Sequence, residues 1–141
     1  MIVCANVLAR QLAAAGRSFK GFRPSCRNNC GCSVWGHGWV RRYFDGYPEG
    51  IELQRFRCRD CRSVMTLRPQ GFWPRFQASV NFIHDTLHYR LVNYFWPPGI
   101  RRQRAGHWLR QLIAKVRMDF PERDLLDCLG DMYRQGIAFL V

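Results

Sequence analysis

A chain of 141 residues, 48% of them apolar, is long enough to bury one core and too apolar to be disordered. Lys and Arg outnumber Asp and Glu by 22 to 10, a net charge of +12, and the excess is uneven: five of the acids follow residue 118, leaving 20 basic against five acidic side chains before it. No window reaches the roughly 18 apolar residues that a membrane span needs, so no membrane association is expected.

The opening run MIVCANVLARQLAAAG has no charged n-region, and Asn6, Arg10 and Gln11 interrupt its apolar stretch. It reads as a short helix over residues 4–15 closed by Gly16, not as a secretion leader. A cytoplasmic location is therefore expected, where thiols stay reduced and clustered cysteines point to metal. The basic segment RSFKGFRP completes a first region, residues 1–23. A cysteine module follows over residues 24–70. In it, HGWVRRYF and IELQRFR are strand-like runs flanking the turn DGYPEG, and SVMTL is a candidate third strand.

Past Pro69, Gly71 and Pro74 the apolar period changes from two to 3.6, so residues 71–141 read as a helical region. Phe76, Val80, Ile83, Leu87, Leu91 and Tyr94 trace a helix over 75–95, which WPPG breaks. Ala105, Trp108, Leu109, Leu112, Ile113 and Val116 trace a second over 101–118. DFPE reads as a third helix start, with Asp119 as cap and Glu122 three residues on. Leu125, Cys128, Leu129 and Met132 form that helix's inner face. The expected class is α+β: a small zinc-ribbon β-hairpin module, then three helices, of which the first two invite a helix-turn-helix reading.

Five of the seven cysteines fall in two tight clusters. Cys58-Arg-Asp-Cys61 follows a strand directly and has the spacing of a zinc knuckle, in which two thiolates two residues apart share a tetrahedral ion. The first cluster is irregular. Of Cys26, Cys30 and Cys32, only Cys30 precedes a glycine, the residue that relieves a tight knuckle turn by tolerating positive φ. The expected ligands of one Zn2+ are therefore Cys26, Cys30, Cys58 and Cys61, with Cys32 a neighbouring thiol able to substitute. His37 is a weaker alternative. The bland reading is a set of buried thiols without metal. Against it, a module of about 45 residues with few large apolar side chains needs a metal to fold. Cys4 and Cys128 lie at apolar helical positions and read as inert core thiols.

The stretch CRNNCG…HGWVRRYF…RFRCRDCRSVMTLRP resembles the zinc ribbon that opens many bacterial insertion-sequence transposases and their small accessory proteins. It is similar in particular to an uncharacterised bacterial family in which that ribbon is followed by helices. The matching positions are Cys26, Cys30, His37-Gly38, Arg41-Arg42, and Phe56 through Thr66, within residues 24–70. The chain departs from the family pattern in the three-residue gap of its first cysteine pair. The resemblance implies DNA binding in a mobile-element setting, with a transposase as partner.

Two basic surfaces suit nucleic acid. Arg55, Arg57 and Arg59 step by two, so a strand carries them on one face, and Arg41 or Arg42 on the neighbouring strand would extend it. The alternative is an edge kept charged against aggregation. With the second helix's apolar stripe turned inward, Gln103, His107, Arg110 and Arg117 face outward and Arg101 and Arg102 open the helix, as in a major-groove reader. The alternative is a helical hairpin with a solvated basic face. His84 and His88, four apart in HDTLH, lack the glutamate and third ligand of a zinc protease and read as edge-of-core residues.

The expected function is a non-catalytic, zinc-dependent protein that binds double-stranded DNA. Catalysis on divalent metal needs converging acids, and Asp45, Glu49, Glu52, Asp60 and Asp85 are the only five before residue 119. An adaptor for RNA or an acidic protein is the alternative. A rubredoxin-like iron centre for electron transfer is a further one.

Overall fold

The computed structural model describes residues 2–21 and 23–136, the first five of them by backbone path alone. The class is α+β. In chain order the elements are β1 (Ile2–Leu8), α1 (Ala9–Ala15), a short 3-10 turn (Gly16–Ser18), β2 (Val34–Phe44), β3 (Tyr47–Cys58), β4 (Val64–Gln70), α2 (Val80–Asn93), α3 (Arg102–Asp119) and α4 (Leu125–Gln135). Contacts divide the chain into two compact units, Met1–Gln77 and Ala78–Val141. Among the described residues no helix is long and apolar enough to cross a membrane.

The first unit is a four-stranded sheet in the order β1-β4-β3-β2. β2 and β3 form an antiparallel hairpin with Val40 opposite Leu53 and Trp35 opposite Arg57. Its register slips between Gly36 and Trp39, where His37 and Gly38 face the single residue Arg55. Gly38, at φ 83, supplies the positive φ that this bulge uses. β4 pairs antiparallel with β3, Phe56 opposite Met65, and parallel with β1, Val3 opposite Leu67.

The helix expected over residues 4–15 is thus corrected: residues 2–8 are strand and only Ala9–Ala15 are helical. The open edge of β4 gives the β-branched run Ile2-Val3 a partner, and pairing overrides a helix-compatible pattern.

Burial along β3 changes phase opposite the bulge, from Ile51 and Leu53 to Phe56 and Cys58. The strand thereby serves two apolar clusters. One joins Ala9 and Leu12 of α1 to Phe44, Ile51, Leu53 and Phe72. The other is Cys26, Val34, Phe56, Cys58, Met65 and Leu67, so two candidate metal ligands are core residues of this unit. The segment after β4 stays with the sheet. The Asp45 backbone N–H donates to the Gln77 carbonyl at 2.9 Å, and buried Arg68 donates to the Phe76 carbonyl while its guanidinium lies 5.1 Å from the Phe44 ring centre.

The first of the three later helices consequently starts at Val80 and not near residue 75. Ser79 caps it, its hydroxyl accepting from the Phe82 N–H at 3.2 Å, while Phe76 meets Trp73 edge-on before the helix begins. In the second unit α2, α3 and α4 pack pairwise. Ile83 and Leu87, then Ala105, Trp108, Leu112 and Val116, then Cys128, Leu129 and Met132 are buried. The cap of α4 is Asp124, whose carboxylate accepts from Leu126 and Asp127 N–H groups at 2.9 and 3.4 Å. Asp119, expected to cap this helix, instead ends α3 with its carboxylate 2.6 Å from Lys115 Nζ. The α2–α3 connection runs from residue 94 to 101. A helix-turn-helix uses a turn of about three to four residues, so the longer connection argues against that geometry for this pair.

Candidate metal centre

Each half of the centre is a turn that bends the chain back on a sulfur. In the first, the Asn29 N–H donates to the Cys26 carbonyl at 3.1 Å, and Asn29 and Gly31 take φ of 52 and 70 to bring Cys30 back toward Cys26. In the second, β3 ends on Cys58, whose N–H donates to the Ser63 carbonyl at 3.0 Å, and the chain turns through Arg62 at φ 60 into β4. Cys61 sits in that turn.

The four sulfurs of Cys26, Cys30, Cys58 and Cys61 lie within 4.8 Å of one another. Cys26 Sγ is 3.7 Å from Cys30 Sγ and 3.5 Å from Cys61 Sγ. A tetrahedron with Zn–S bonds of about 2.3 Å has S···S edges of roughly 3.8 Å, so these separations fit one tetrahedral ion of that radius. The donor set is all sulfur, which selects soft or borderline cations over Mg2+ and Ca2+. Cys58 is wholly buried and Cys26 nearly so, whereas Cys61 is exposed at the rim.

Cys32 stands apart from the four, yet its Sγ is 3.2 Å from Cys58 Sγ. It touches the set at one corner, the position of a fifth thiol. His37 lies at the β2 bulge and is not in the cluster.

The thiols are not equivalent. The Ser63 hydroxyl, 2.9 Å away, and the Ser63 backbone N–H hold Cys61 down to about 5, so it is a thiolate at neutral pH. The Asn28 backbone N–H lowers Cys26 despite its burial. The neighbouring Cys26 and Cys61 sulfurs push Cys30 up to about 11. At Cys58 the Cys61 N–H pulls downward, but burial and the Cys32 and Cys26 sulfurs outweigh it and the thiol is raised. Four sulfurs crowded this closely repel one another as thiolates. A divalent ion among them would remove that repulsion, and the residues present therefore fit a tetrahedral thiolate-bound metal.

The residues expected to meet nucleic acid are dispersed. Arg41 Nη2 and Nε bind Glu52 Oε1 at 3.0 and 3.2 Å, and Arg17 approaches the other oxygen at 3.7 Å. The Arg41–Glu52 pairing depends on the register of the hairpin, which the sequence does not mark. Arg41 and Arg42 lie on the neighbouring strand, opposite Glu52 and Ile51 and three or more residues along it from Arg55. Arg55 and Arg57 are half-buried, and the strand ends at Cys58, which leaves Arg59 in the exposed turn rather than in line with them. On α3, by contrast, Gln103, His107, Arg110 and Arg117 are all exposed opposite the buried stripe, as are Arg101 and Arg102 at its start.

His84 is stacked on Tyr133 with ring centres 4.1 Å apart, and its Nδ1 lies 3.0 Å from the Asp85 carboxylate. His88 is exposed, its ring centre 5.9 Å from that of His84. Cys128 is buried on α4 as expected. Cys4 lies on a strand opposite Arg68 and not on a helix, and its side chain is outside the described residues. Sequence reasoning missed Ser63, whose hydroxyl tunes Cys61. Its place two residues past the knuckle was the available signal.

No protein-family model, no curated protein and no solved structure matches this chain.

Proposed function

We propose that Cys26, Cys30, Cys58 and Cys61 hold one zinc ion as a ribbon-type structural centre, and that the chain binds duplex DNA without catalysing a reaction on it. The observation that carries the reading is the closed set of four sulfurs within 4.8 Å, two of them buried in a core of six residues. Zinc there would supply cross-linking of two chain segments, and the four thiolates leave it no open position for a substrate. Two knuckles beside a hairpin are what the transposase-ribbon resemblance implies, and a mobile-element setting with a transposase partner is proposed on that basis.

The DNA half of the reading rests on the charge of +12 and on the cationic outer face of α3. Arg supplies fork-shaped, permanently charged donors suited to phosphate and to guanine edges. The test is anisotropy titration of a labelled mixed-sequence duplex across a salt series with the zinc-loaded chain. Log K should fall with log salt by about 0.9 for each phosphate neutralised, and Arg110→Ala should reduce that slope by about one. Salt-independent binding would overturn the reading, and a clear preference for RNA over DNA would replace it with the adaptor.

A further inference from the structure

The last residue of the α2 cap region works against helix-ending preference. Tyr94 sits there in the left-handed region at φ 64, a position usually given to Gly or Asn because a Cβ crowds the following carbonyl. Its ring gains no burial in return. At 83% exposure Tyr94 is the most exposed large apolar or aromatic side chain among the described residues, and Phe95 beside it is 59% exposed. The turn beneath them is held in place: Phe95 meets Tyr89 edge-on at 5.7 Å, and the Arg90 guanidinium lies 5.5 Å from the Trp96 ring centre. A strained residue that keeps a large ring in water points to recognition, since neither packing nor backbone preference explains it.

Charge identifies the partner. Residues 86–118 carry Arg90, Arg101, Arg102, Arg104, Arg110, Lys115 and Arg117 and not one Asp or Glu. Arg101 and Arg102, both exposed, close the same turn that Tyr94 opens, and α3 presents the positive end of its dipole there. A partner that offers flat apolar faces and a dense line of negative charge satisfies both halves of this surface. Unpaired nucleotides do so, and duplex DNA does not, because its base faces are stacked inside.

We infer that the turn at residues 94–102 is a stacking platform for single-stranded nucleic acid, Tyr94 and Phe95 taking successive bases and Arg101 and Arg102 the flanking phosphates. The inference adds a second substrate form to the duplex reading and does not depend on it.

The experiment uses the full zinc-loaded chain with a labelled oligothymidylate and a labelled duplex of equal length. Tyr94→Ala and Phe95→Ala should each weaken oligothymidylate binding about tenfold and leave duplex binding unchanged, while Tyr94→Trp restores the affinity. Tyr94→Gly should melt no lower than the parent, since glycine is at ease at positive φ, and yet lose the single strand as the alanine variant does. The inference is overturned if the alanine variants bind oligothymidylate like the parent, or lose both probes equally. Duplex binding with no single-strand binding sinks this inference and leaves the function reading standing. Ring-dependent single-strand binding without duplex binding does the reverse, and binding of neither probe overturns both.

Discussion

Phe56→Ala tests whether metal and core of the first unit are one folding event. Phe56 is buried, pairs with Met65 of β4, and sits two residues before Cys58 in the cluster that contains Cys26 and Cys58. Truncating a buried Phe costs about 3–5 kcal/mol, a large share of the roughly 5–15 kcal/mol that holds a domain together. Among the described residues the first unit has two clusters of six buried residues each, divided between the two ends of β3. Cores this small leave the metal-free unit close to balance, so the cost of the substitution should appear in the apparent zinc affinity. Three to five kcal/mol corresponds to a weakening on the order of 100- to 5,000-fold.

The assay is competition for zinc against a chromophoric chelator, with near-ultraviolet circular dichroism of the tryptophans reporting packing. Leu112→Ala is the control. It removes a fully buried side chain from α3 in the other unit, costs about 2–5 kcal/mol there, and should move zinc affinity by less than about twofold. If Phe56→Ala leaves zinc affinity unchanged and the metal-free chain keeps its native near-ultraviolet spectrum, the unit folds without metal and the reasoning is wrong.

Three further outcomes can be checked on the same material. Ser63→Ala removes the hydroxyl 2.9 Å from Cys61 Sγ, and loss of such a supporting hydrogen bond should weaken zinc binding by about tenfold or more in the chelator competition. Asp124→Ala removes the α4 cap and should lower stability by about 1 kcal/mol in a denaturant melt, whereas Asp119→Ala should cost less. Arg123, and then Arg134, hold the Asp131 carboxyl below its ordinary value. A depressed folded-state value gives stability that is present above the ordinary Asp range and lost as pH falls through the folded value. The melting-temperature gap between the parent and Asp131→Asn should therefore persist at neutral pH and close below about pH 4. A gap that is constant into acid would contradict the pairing.

The readable part of this chain is the part written in local spacing. The strands around DGYPEG, the knuckle at Cys58 and Cys61, and the buried stripe Ala105-Trp108-Leu112-Val116 follow from periods of two and 3.6 and from ligand spacing. Choosing Cys30 over Cys32 rested on one glycine, Gly31, which the structure places at φ 70. What stayed hidden depends on partners distant in sequence. Residues 2–8 become a strand because β4, some sixty residues on, offers an edge, and Arg17 approaches a Glu52 that lies 35 residues further along the chain. Two helix starts were misplaced: Phe76 fitted the helical period although it packs on Trp73 before the helix begins, and Asp119 fitted a cap although Asp124 fills that place. The exposure of Tyr94 was hidden for the opposite reason: it continued the helical period of α2, and periodicity implied burial.

The most direct measurement is metal content per chain, by mass spectrometry, on the parent and on single Ser replacements of Cys26, Cys30, Cys32, Cys58 and Cys61. One zinc per chain is expected, retained in Cys32→Ser and lost or loosened in the other four, since Cys32 borders Cys58 but is not one of the four sulfurs grouped within 4.8 Å. A folded chain with no metal, or zinc that depends on Cys32 and not on Cys30, would contradict the centre described here.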